Sequence, residues 1–194
     1  MCKVLALLPS SRMLGMHLTV DHVLWAISLA FTALVALIDG RTRRIPNWLT
    51  VSGCLAGIAV HSVFGGLPGT IMALEGAGFG LLIFLPLVLL RAIGAGDWKL
   101  VGAMGALVGP EMLWFVLFAS VMVAGVMAVV LMIRAKRVRA TLHNVWMLIV
   151  GFLTLGFRAH PEISLDNPEL LKLPFGVAAA IGTFICFVAA QWHS

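Results

Sequence analysis

The 194-residue chain is 61% hydrophobic and only 11% charged, with a mean hydropathy of +1.08. Its apolar residues come in long blocks rather than amphipathic stripes, which excludes an ordinary soluble domain and implies a polytopic membrane protein. The formal charge of +5 is no mark of a nucleic-acid partner, because the Lys and Arg residues sit mostly at the ends of apolar runs, where they set topology.

Lipid offers no hydrogen-bond partners, so spanning segments are helices or a closed barrel. The runs lack the alternation of barrel strands, which predicts an all-α fold. Residues 1–21 read as an N-terminal extension. The apolar run after Lys3 is too short for a secretory segment, and Met13 or Met16 would serve equally well as a start. Residues 22–194 read as a single membrane domain.

The first span covers about 22–38 and stops at Asp39, before the basic turn Gly40-Arg41-Thr42-Arg43-Arg44. Pro46 suits the start of a second span over 48–64, since its missing N–H costs nothing there. Gly65-Gly66-Leu67-Pro68-Gly69 reads as a turn, and a third span follows over 70–90. Gly94-Ala95-Gly96-Asp97 leads into a short apolar stretch, 98–108, broken by Gly109-Pro110-Glu111. Spans over 112–133 and 175–190 complete the set.

The stretch 141–157 is either a seventh span or an apolar helix lying in the interface. Charge counting favours the interface. With six spans, the loops near 40–47, 91–99 and 134–173 share one face and carry eleven of the thirteen Lys and Arg residues. That excess marks the face as cytoplasmic. The expectation is therefore six transmembrane helices in the inner (cytoplasmic) membrane, with an interfacial segment before the last.

Asp39 and Asp97 stand out among only eight acidic residues. Two further crossings separate them, so parity puts both at the same face. Eleven residues of fourth span give about 16 Å of helix against a hydrocarbon core of about 30 Å. The chain at 94–96 is thus expected to dip below the surface in non-helical form. A carboxylate at that depth is costly and is a functional candidate by default.

Two such groups can share a proton, because mutual repulsion separates their titrations. The ionised member can then activate water while the protonated one polarises a peptide carbonyl. The bland alternatives are a helix-end Asp39 paired with Arg41 or Arg43, and Asp97 as an N-cap.

Gly94-Ala95-Gly96-Asp97-Trp98-Lys99-Leu100 resembles the GxGD-x-K-L signature of type IV prepilin peptidases. Asp39 followed by Arg43-Arg44-Ile45-Pro46-Asn47 is similar to the family's second motif, and Leu173-Pro174-Phe175-Gly176-Val177-Ala178 to its opening of the last span. The resemblance implies cleavage of a prepilin leader at the cytoplasmic boundary, with Asp39 and Asp97 catalytic. Gly94, Gly96, Lys99, Pro46, Asn47 and Pro174 are expected to shape the site or contact substrate. The first loop is short and holds no cysteine, unlike the larger members that also methylate the product. It therefore looks like the peptidase-only form serving tight-adherence (Flp-type) pili, with no cofactor and no methyltransferase activity. Trp98 departs from the motif, where a smaller aliphatic residue is commoner.

Lys99 is expected to snorkel to the headgroups, and Gly76 and Gly80 to serve close helix packing. The six scattered histidines show no metal-ligand spacing, and Cys54 and Cys186 read as small packing residues. Three rivals remain: an intramembrane GxGD protease of presenilin or signal-peptide-peptidase type, a small proton-coupled carrier, and a purely structural membrane protein.

Overall fold

The computed structural model describes residues 11–89, 93–134, 146 and 173–192. It contains the helices α1 (Ser11–Thr42), α2 (Asn47–Leu89), α3 (Ala95–Arg134) and α4 (Phe175–Trp192) and, among the described residues, no strand. All four are long and apolar enough to cross a membrane, α1 over His22–Thr42. Hydroxyls inside these helices are satisfied locally. Thr32, Ser120 and Thr183 each donate to the carbonyl four residues back, at 2.6–2.8 Å, so an apolar helix can hold them without a partner outside it.

Neither α2 nor α3 is a straight rod. A straight helix of 43 residues would run about 65 Å, twice the hydrocarbon core. The chain instead leaves helical geometry at Gly66 (φ 59°, ψ −143°), a left-handed conformation that glycine adopts without steric cost. Beyond it, Thr70 Oγ1 lies 2.7 Å from Ser62 Oγ, and a Cβ on Gly69 would collide with the His61 carbonyl. Residues eight apart on a straight helix would be about 12 Å apart. The chain therefore folds back on itself.

The second break is at Gly109 (φ 76°, ψ 169°). Val101 backbone meets Gly80, while the Trp114 ring packs on Phe79 with centroids 5.0 Å apart. Neighbouring positions on α2 thus touch residues on both sides of Gly109, so α3 also reverses. Pro110 directly after the break opens the second arm, where its missing N–H is no loss. His61 Nε2–H donates to the Leu107 carbonyl at 3.2 Å, satisfying an acceptor freed where the first arm ends.

That first arm is the hub. Every residue from Leu100 to Leu107 is buried, as expected of a helix apolar on all sides. Small residues let neighbouring backbones touch it. Gly57 abuts Ala106 and Leu107, Gly76 abuts Gly105, and Gly80 abuts Val101, the close packing expected of Gly76 and Gly80. The second arm carries Trp114, Phe115, Phe118 and Val126 on an exposed face, a surface suited to hydrocarbon.

Three boundaries differ from expectation: α1 already begins at Ser11, inside the stretch read as an extension, and two more lie near the site. Helix α1 runs through Asp39 to Thr42, whose Oγ1 donates to the Ile38 carbonyl at 2.8 Å. The turn is thus shortened to residues 43–46. Helix α3 begins at Ala95, so residues 95 and 96 are helical rather than a non-helical dip. The reason is local: Trp98 N–H bonds the Gly94 carbonyl, which draws the glycine-rich approach into the first turn. The interfacial helix expected at 141–157, apart from Trp146, lies outside the described residues. So do residues 1–10 and most of the loop expected over 134–173.

Candidate active site

Asp39 is only 5% exposed. It sits near the carboxyl end of α1, where the helix dipole is unfavourable to a negative charge. The compensation comes from elsewhere in the chain. The backbone N–H of Gly176 donates to Asp39 Oδ2 at 2.7 Å, across 137 residues. Gly176 lies in the first turn of α4, where backbone donors have no partner within the helix. The Asp39 carboxylate therefore meets the positive end of a second helix. Glycine is needed there, since a Cβ would come within 2.9 Å of Oδ2 and 2.8 Å of Val35 Cγ1.

The end of α1 is closed by Arg43. Its N–H bonds the Asp39 carbonyl at 2.8 Å, and its φ is 50°, the left-handed closure that usually falls to glycine. Its guanidinium is near enough to act electrostatically on the Asp39 carboxylate.

Asp97 is the third residue of α3 and is partly exposed. Its carboxylate is bonded by the N–H of Gly94, while the Gly94 carbonyl accepts from Trp98 N–H at 3.2 Å. This is one half of a capping box, with Gly94 as the cap and Asp97 reaching back to its N–H, while the Trp98 bond is the first ordinary bond of the helix. Asp97 is thus not itself the N-cap. Asp39 and Asp97 interact electrostatically, so the fold brings the two to one end of the bundle.

The motif segments also brace each other. Gly96 lies against Ile45, where a Cβ would stand 3.3 Å from the Ile45 Cβ. Lys99 Nζ donates to Asn47 Oδ1 at 3.0 Å. Lys99 is therefore tied to the start of α2 rather than free to snorkel, because an amide oxygen lies within its reach. Pro46 supplies the carbonyl that Leu49 N–H bonds at 3.1 Å, which starts α2. Trp98 Nε1–H donates to the Leu81 carbonyl at 2.7 Å, so the residue that departs from the motif bolts α3 to the second arm of α2. Pro174 accepts from Val177 N–H at 3.2 Å and starts α4. Among the described residues, no group of three or more His, Cys, Asp or Glu gathers as a metal site would require.

A family model described as the type IV leader peptidase family matches residues 26–129. The chain belongs to that family. It is a protease of the prepilin peptidase kind with membrane-spanning helices, and the matched region holds both aspartates and the turn between α1 and α2. No curated protein and no solved structure matches the chain.

The match ends before α4, yet α4 supplies the hydrogen bond to Asp39. Gly176 was not among the residues expected to shape the site. Its signal in the sequence is its place in the segment 173–178 that resembles the family's opening of the last span, and nothing near it in sequence indicates a partner 137 residues away. In the sequence, a pairing of Asp39 with Arg41 or Arg43 belongs only to the alternative in which Asp39 has no catalytic role.

Proposed function

We propose that the chain is a prepilin leader endopeptidase in which Asp39 and Asp97 form the catalytic dyad. The observation that carries this reading is that Gly96 against Ile45 and Lys99 on Asn47 bring the two motif segments together at one end of the bundle, with the carboxylates near enough to repel each other, inside the region shared with the family. In the proposed cycle, the ionised carboxylate takes a proton from water as the water oxygen attacks the scissile carbonyl carbon. The protonated partner gives its proton to the carbonyl oxygen. The tetrahedral diol then collapses: the newly protonated carboxyl gives its proton to the departing nitrogen as the C–N bond breaks, the other carboxylate takes the proton of a diol hydroxyl, and the dyad is left with one shared proton.

The two reversals at Gly66 and Gly109 support six membrane crossings. With six crossings, eleven of the thirteen cationic residues fall in sequence segments expected at one face, which supports a cytoplasmic site. The cysteine-free turn at residues 43–46 supports a peptidase without methyltransferase activity, acting on small Flp-type prepilins at the cytoplasmic boundary of the inner membrane.

The test is to incubate the purified protein in liposomes with prepilins encoded beside its gene and to map the new N-terminus by mass spectrometry. The expected product begins just before the hydrophobic segment of the pilin. Cleavage within that segment, or none, contradicts the reading.

A further inference from the structure

Resting on the aspartyl reading above, we propose that Gly176 is a positioning residue of the site. Its N–H orients the Asp39 carboxylate, and its lack of a side chain keeps that carboxylate seated.

Three observations meet at this residue. The 2.7 Å bond is buried and joins the end of α1 to the start of α4. The space is closed, because a Cβ at position 176 would stand 3.0 Å from Asp39 Cβ as well as crowding Oδ2 and Val35. The donor is also rigidly mounted. The preceding ring, Phe175, packs on Phe84 of α2 with centroids 6.2 Å apart, and Pro174 just before it has a restricted φ. A glycine kept only for helix packing would need the space but not a donor aimed at a carboxylate. A carboxylate at the wrong end of its own helix needs the donor.

Removing the N–H without adding bulk separates the two roles. Glycolic acid placed at position 176 of the full chain replaces the peptide N–H by an ester oxygen. The first-turn donor it removes has no partner within α4, so the helix keeps its own hydrogen bonds, and thermal unfolding of the variant beside the parent in detergent separates a loss of folding from a loss of rate. With prepilins encoded beside the gene as the probe, kcat is expected to fall at least tenfold while KM stays within twofold. Gly176→Ala is expected to lose at least as much, and adding Val35→Ala should not restore it, since the new Cβ still crowds Oδ2.

The proposal is overturned if the ester variant keeps its kcat, or if Val35→Ala returns Gly176→Ala to within twofold of the parent. Wild-type cleavage by Asp39→Asn would instead remove the aspartyl reading itself, so the two failures are distinguishable.

Discussion

Asp39 ends one helix and Asp97 begins another, and the fold holds the two in opposite ways. Asp97 is held locally. It lies in the first turn of its own helix, where the dipole favours a carboxylate, and its backbone donor is three residues away. Asp39 is at the unfavourable end of α1 and depends on α4, which the chain reaches only after 137 residues. The lesson is that one aspartate is held by a short local motif, whereas the other gains its backbone donor only when α4 has packed against α1. A substitution that loosens α4 should damage Asp39 first.

The sharpest contrast lies in removing each carboxylate. Asp39→Ala and Asp97→Ala should both lose cleavage, but their stability should differ. Asp39→Ala leaves a buried N–H without a partner, a cost of about 1–3 kcal/mol. Asp97→Ala loses a capping contact at a partly exposed helix start, about 1 kcal/mol or less. Thermal unfolding in detergent should rank Asp39→Ala below Asp97→Ala, and the reverse order would break the comparison.

Next in size is the contrast between the two donor glycines. Gly176→Ala should lose at least tenfold in kcat. Gly94→Ala adds a Cβ 3.4 Å from Asp97 Oδ2, an ordinary contact, and should lose no more than about threefold (within ~1 kcal/mol). Equal losses in paired kinetic assays would show that the two sites are not held differently.

The smallest effect is expected at Arg43. Arg43→Gly relieves a left-handed residue and should stabilise the protein by about 1 kcal/mol. It also removes the cation that acts on Asp39 and should slow cleavage a few-fold. A gain in thermal stability with an unchanged rate would leave Arg43 as a helix-closing residue alone.

Much of this was legible in the sequence, for identifiable reasons. In a chain so poor in charge, a carboxylate at the edge of an apolar run is conspicuous, so Asp39 and Asp97 stand out from the sequence alone. Gly65-Gly66-Leu67-Pro68-Gly69 and Gly109-Pro110 combine conformational freedom with a residue that suits a new helix start, and the chain does reverse at Gly66 and Gly109. Helix ends were less legible. Whether α1 stops at Ile38 or Thr42 turns on one hydroxyl and one left-handed residue, which hydropathy does not register.

Least legible were the pairings between distant segments. Lys99 has no local reason to choose Asn47 over the headgroups, and Gly176 has none to choose Asp39. Such contacts are set by how the helices pack around the buried arm at 100–107, and local residue patterns do not specify that packing.

The most direct test is single-turnover cleavage of a prepilin by the intact protein, its Asp39→Asn variant and its Asp97→Asn variant, each reconstituted in the same liposomes. Asn keeps the shape of Asp, so both variants should remain folded. The account predicts that each loses at least a thousandfold in rate. Cleavage by either variant within tenfold of the parent would contradict a two-aspartate mechanism.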